Sequence, residues 1–62
     1  MPMTAKEMIR LLERNGFTQI RQKGSHVFLQ NKKTGRATTV PFHSGDLKPG
    51  TEKQILKDAG LK

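Results

Sequence analysis

The sequence predicts an α+β domain in the order helix, three antiparallel strands, helix, with both helices on one face of the sheet. Three observations predict it. An amphipathic run opens behind a helix-capping signature at Thr4-Ala5-Lys6-Glu7. Short extended runs follow, separated by glycine-containing turns at Lys23-Gly24-Ser25 and Asn31-Lys32-Lys33-Thr34-Gly35. A second one-sided helical run then closes at Gly60. Strands joined by loops this short must pair antiparallel, and two helices with one apolar side each bury those sides on a common sheet face.

The first helix follows from its cap and its period. The Thr4 hydroxyl suits the Glu7 amide, and the Glu7 carboxylate suits the Thr4 amide. Ala5, Met8, Ile9, Leu11 and Leu12 fall on one stripe, while Lys6, Glu7, Arg10, Glu13 and Arg14 fall on the other side. Asn15-Gly16 stops the helix, with Gly16 suited to the left-handed position past its end, and Phe17 packs back on the last turn.

Phe17 to Gln22 reads as a weakly patterned first strand. Its two apolar residues, Phe17 and Ile20, are three positions apart. Strict alternation forbids that, so the strand carries a bulge, or Phe17 still belongs to the turn. His26 to Gln30 is the second strand, with the apolar run Val27-Phe28-Leu29 read as core at Phe28. Arg36 to Val40 is the third, ended by Pro41, which cannot continue a ladder. Phe42 to Gly50 is a loop from which Leu47 dips into the core. The second helix is read as opening at Thr51 with Gln54 completing another capping box. Ile55, Leu56 and Ala59 form its buried side, and Lys53, Lys57 and Asp58 face outward. Leu61 folds back after Gly60.

Composition bounds the function. Sixty-two residues, 1–62, read as one small domain with no room for a deep substrate cavity. There are no cysteines, so neither disulfides nor a thiolate zinc site stabilises it. No apolar run approaches the ~20 residues of a membrane span, and the start lacks the basic-then-apolar order of a signal peptide. The reading is a soluble cytoplasmic protein with no membrane partner. Lys and Arg number 12 against 5 acidic residues, a net charge of +7. On so small a surface that excess points to a polyanion.

The chemistry centres on Lys23-Gly24-Ser25-His26. RNA carries its own nucleophile, the 2′-hydroxyl, so cleavage needs a base for that proton and positive charge at the phosphate. Histidine suits the proton work because its ordinary pKa of ~6.5 lies near physiological pH. Gly24 lets a phosphate approach the backbone closely, and Ser25 holds the turn or donates to phosphate. Arg21, Lys23, Lys32, Lys33 and Arg36 are read as phosphate contacts on strand ends and hairpin loops near the site. His43 stands open between a second acid, a phosphate ligand and a plain surface residue. His26, His43 and Asp46 lack the helical spacing of a metal site, so no metal or other cofactor is expected. The plain alternative for the same residues is a hairpin turn with a histidine at the strand start.

The chain resembles the HicA (YcfA-like) toxins of bacterial toxin–antitoxin pairs. The resemblance rests on four pieces in order over nearly the whole chain: the first helix ending in Asn15-Gly16-Phe17, then Arg21-Gln22-Lys23-Gly24-Ser25-His26, then Val40-Pro41-Phe42-His43, and last Leu47-Lys48-Pro49-Gly50-Thr51 leading into Ile55 to Leu61. It implies a double-stranded-RNA-binding-domain-like fold and an endoribonuclease that degrades mRNA, and the absence of metal-site spacing makes that cleavage metal-independent in expectation. It also implies silencing by a HicB-like antitoxin, and a catalytic histidine after the Gly-Ser turn, which here is His26. The runner-up is a non-catalytic module that binds structured RNA through the same basic edge.

Overall fold

The computed structural model describes residues 3–42 and 46–61. Its elements are α1 (Ala5–Arg14), β1 (Thr18–Lys23), β2 (His26–Gln30), β3 (Ala37–Pro41) and α2 (Pro49–Asp58). The strands form one antiparallel sheet in the order β1-β2-β3. This is the expected α-β-β-β-α arrangement with an open three-stranded sheet.

Helix α1 forms for the reasons its sequence carries. The Thr4 N–H donates to Glu7 Oε1 at 2.9 Å, and the Glu7 N–H donates to Thr4 Oγ1 at 3.1 Å. Both amides would otherwise lack a partner at a helix start. At the other end Gly16 takes φ +92. That conformation lets the Phe17 N–H reach the Leu12 carbonyl and the Gly16 N–H reach the Glu13 carbonyl, the pair of bonds of a Schellman stop. Phe17 is buried as a result and precedes β1 rather than joining it.

The second helix begins earlier than its sequence suggests. It starts at Pro49, with Lys48 at the cap position and no side-chain cap bond. Proline at the first helical position has φ already set, and its missing N–H is one the helix start leaves unpaired anyway. The capping box expected at Thr51 and Gln54 is therefore absent. Gln54 instead donates through Nε2 to Asp58 Oδ1 one turn later, at 2.8 Å. The helix ends as expected, with the Leu61 N–H on the Leu56 carbonyl and the Gly60 N–H on the Lys57 carbonyl.

The core lies between the helices and one sheet face. Met8, Ile9 and Leu12 from α1, Ile55 from α2 and Ala59 at its end, and Val27, Leu29 and Val40 from the sheet join one buried cluster with Phe17 and Leu47. Leu47 is fixed by its N–H on the Met3 carbonyl at 2.8 Å, next to a bridge between Thr4 and Asp46. Burial alternates along β2 and β3, so Val27, Leu29, Thr38 and Val40 face inward. Phe28 falls between two inward residues and is only half-buried, which corrects its reading as core. β1 is exposed along its whole length. Its register shifts between Gln19 and Arg21, which makes Ile20 the bulge residue and leaves it 57% exposed. Both resolutions of the Phe17–Ile20 spacing thus hold at once. Pro41 is the last residue of β3 and pairs with His26.

Candidate active site on the open sheet face

A two-residue loop, Gly24-Ser25, joins β1 to β2 and sets the site. Gly24 takes φ +58, the sign that the first central position of a tight hairpin turn requires and that a glycine supplies without cost. Gln22 Nε2 donates to the Gly24 carbonyl at 3.0 Å and holds the turn. The Phe42 N–H donates to the Ser25 carbonyl, so the β2–β3 ladder extends past the strand ends to the same turn.

The register then decides which side chains share a face, because directly paired residues project to the same side. Lys23 pairs with His26, and His26 with Pro41. Arg21 pairs with Phe28, and Phe28 with Thr39. These two rows occupy the face turned away from the core, since the alternate rows carry the buried Val27, Leu29, Thr38 and Val40. His26 therefore shares a face with Phe28, as alternation requires, and that face is the solvent side. His26 is exposed at the mouth of the strand.

Lys23, His26 and Phe28 line one shallow pocket. The Arg21 guanidinium lies 4.9 Å from the centre of the Phe28 ring, a cation–π contact that flattens the cation on the sheet. The chemical means on this face are thus an imidazole, an ammonium directly across from it, and a guanidinium one row further on. Gly24 has nothing within 4 Å of where a Cβ would stand, so a ligand meets only backbone there.

The structure separates the cations that the sequence grouped. Arg21 and Lys23 stand with His26. Lys32, Lys33 and Arg36 belong to the β2–β3 loop, at the opposite end of β2. At ~3.4 Å per residue, that loop lies roughly 14 Å along the strand from His26, so the three are not near it. Arg36 instead lies against Gly60, where its side chain occupies the space of a Cβ. Ser25 stays in the turn beside His26. His43 lies outside the described residues. Among those described, no three potential metal ligands gather, and no helix is long and apolar enough to cross a membrane.

One residue that sequence reasoning passed over secures the far loop. Asn31 is buried, accepts at Oδ1 from the Lys33 and Thr34 N–H groups, and donates from Nδ2 to the Asn15 carbonyl at 3.0 Å. It ties the β2–β3 loop to the end of α1. An Asn opening a turn cluster was its only signal.

A family model described as the HicA toxin of bacterial toxin–antitoxin systems matches residues 5–61. The chain belongs to the HicA toxin family. A search of curated proteins returned no match. Family membership makes the chain the toxin half of a toxin–antitoxin pair and so implies an antitoxin partner. The matched span includes the turn, both rows of the open face and the loop that holds Asn31.

Proposed function

We propose that this HicA toxin is a metal-independent endoribonuclease that cleaves mRNA in the cytoplasm, with His26 as its proton-transfer group. One observation carries the reading: His26 and Lys23 form a direct cross-strand pair on the solvent face, beside a glycine turn that nothing crowds. His26 takes the proton of the 2′-hydroxyl. The 2′-oxygen bonds to phosphorus, and the bond from phosphorus to the 5′-oxygen breaks. The departing 5′-oxygen takes a proton from water, which a face this shallow leaves at hand. Lys23 neutralises the non-bridging oxygens, where charge builds in the transition state. Gly24 and Ser25 let the phosphate approach the turn. Arg21 adds charge one row further on, and Lys32, Lys33 and Arg36 hold more distant phosphates of the same strand. His43, next in sequence after Phe42, contributes as a further RNA contact. A HicB-like antitoxin silences the enzyme by covering this face.

The test is cleavage of mRNA in EDTA by the wild type and by His26→Ala. The residue is exposed, so the variant folds, as a circular-dichroism melt will show. A general base contributes about 10²–10⁴-fold, and the variant should lose activity on that scale. Undiminished cleavage by His26→Ala would refute the assignment. Binding without cleavage by the wild type would favour a non-catalytic RNA-binding module.

A further inference from the structure

A second concavity is distinct from the His26 pocket. It is a groove beside it, lined by Ile20 and Arg21 of β1, Phe28 of β2, Thr39 of β3, and Thr51 and Gln54 of α2. Phe28 belongs to both hollows, so the groove continues from the pocket of Lys23 and His26.

We infer that this groove is a nucleobase subsite, and that the substrate is single-stranded RNA whose base next to the cleaved bond lies against Arg21 and Ile20. The inference rests on the endoribonuclease reading of His26. Ile20 is a large aliphatic residue turned out to solvent by the bulge, 57% exposed, which sets an apolar side chain where a base could lie against it. Beside it the Arg21 guanidinium lies on the Phe28 ring. A planar cation backed by an aromatic ring is a stacking platform for a base, whichever base it is.

Spacing places the base next to the scissile bond. The Arg21–Phe28 row is the next same-face row after Lys23–His26, about 7 Å along the strand, a reach suited to the neighbouring nucleotide. A base enters such a groove only when unpaired, because in a duplex its faces are stacked on its neighbours.

The α2 wall adds selectivity. Gln54 commits one N–H of Nε2 to Asp58 Oδ1, which leaves its carbonyl oxygen and its second N–H for a ligand. Asp58 also borders the groove. An acceptor-rich wall favours a base that offers an exocyclic amine and disfavours uracil, whose Watson–Crick edge offers only one N–H.

The experiment measures fluorescence anisotropy of short 2′-O-methyl oligonucleotides, which cannot be cleaved, against the full chain at fixed salt. The expected result is binding of single-stranded oligo-A at least about tenfold tighter than of its duplex or of oligo-U. Ile20→Ser should weaken single-strand binding roughly tenfold. Gln54→Ala should reduce the preference for the amine-bearing base, and Gln54→Ala with Asp58→Ala should erase it, with the melting temperature of Ile20→Ser unchanged. Equal binding of duplex and single strand, or indifference to these substitutions, overturns the inference. So does loss of antitoxin binding alone, which would make the groove a protein-docking site. Single-strand binding with this pattern but no cleavage of mRNA would overturn the catalytic role of His26 and leave the subsite standing.

Discussion

Asn31→Ala tests whether the far end of the sheet depends on one side chain. The substitution removes three hydrogen bonds: two accepted from the Lys33 and Thr34 N–H groups, at 2.9 Å and 3.3 Å, and one donated to the Asn15 carbonyl. A typical bond of this kind contributes about 1 kcal/mol net. The two loop amides can turn to water, and the Asn15 carbonyl is less free to do so, which puts the total near 2 kcal/mol. A domain of this length has a stability of about 3–9 kcal/mol, so the loss is a large share of it. With a urea dependence of about 1 kcal/mol per molar, the unfolding midpoint should fall by roughly 2 M. Asn31→Asp is the sharper control. It keeps both acceptor bonds and the shape, but sets a carboxylate oxygen where Nδ2 stood, 3.0 Å from the Asn15 carbonyl oxygen. It should destabilise at least as much as alanine. If both variants unfold within about 0.5 kcal/mol of the wild type, a range ordinary for a plain surface substitution, Asn31 is not the tie described.

Three further outcomes follow from the geometry. Gly24→Ala meets no steric clash but must hold φ +58, so it should lower stability by about 1 kcal/mol and the melting temperature by several degrees. Lys23→Gln should weaken RNA binding and reduce the slope of log affinity against log salt by about 1, as expected for one lost phosphate contact. Glu7 has its carboxyl held below the ordinary 4.5, first by the Thr4 backbone N–H and then by the Thr4 hydroxyl. A carboxyl depressed in the folded state contributes stability above its unfolded value and loses it as pH falls through the folded value. Melting temperature should therefore drop on acidification across that window, and Glu7→Gln should flatten the drop.

What the sequence made legible is local. The box at Thr4–Glu7, the stop at Asn15-Gly16 and the glycine turn before His26 each act within a few residues, and each formed as read. Phe28 was misread because Val27-Phe28-Leu29 is apolar throughout, and such a run hides which residues face inward. Only the register, with Arg21 opposite Phe28, reveals an aromatic used on the solvent side. The start of α2 was misplaced because Thr51 and Gln54 fit a capping pattern, while Pro49 two residues earlier needs no cap to begin a helix. The cations of the β2–β3 loop were grouped with His26 although successive hairpin loops lie at opposite ends of a strand. The groove was out of reach altogether, since it joins Ile20 to Gln54 across the sheet and no spacing in the chain records that.

The exposed course of β1 has a further consequence. Its outer side pairs with no other described strand, and an unpaired strand edge is a template on which copies of a protein aggregate. Here the bulge at Ile20 breaks the regular run of backbone donors and acceptors, and Arg21 and Lys23 would bring like charges together if two such edges met. The cations proposed to grip substrate thus also act as a guard that keeps toxin molecules apart. A variant stripped of both to abolish toxicity would lose that guard as well, so its silence in a cleavage assay has to be read beside its sedimentation.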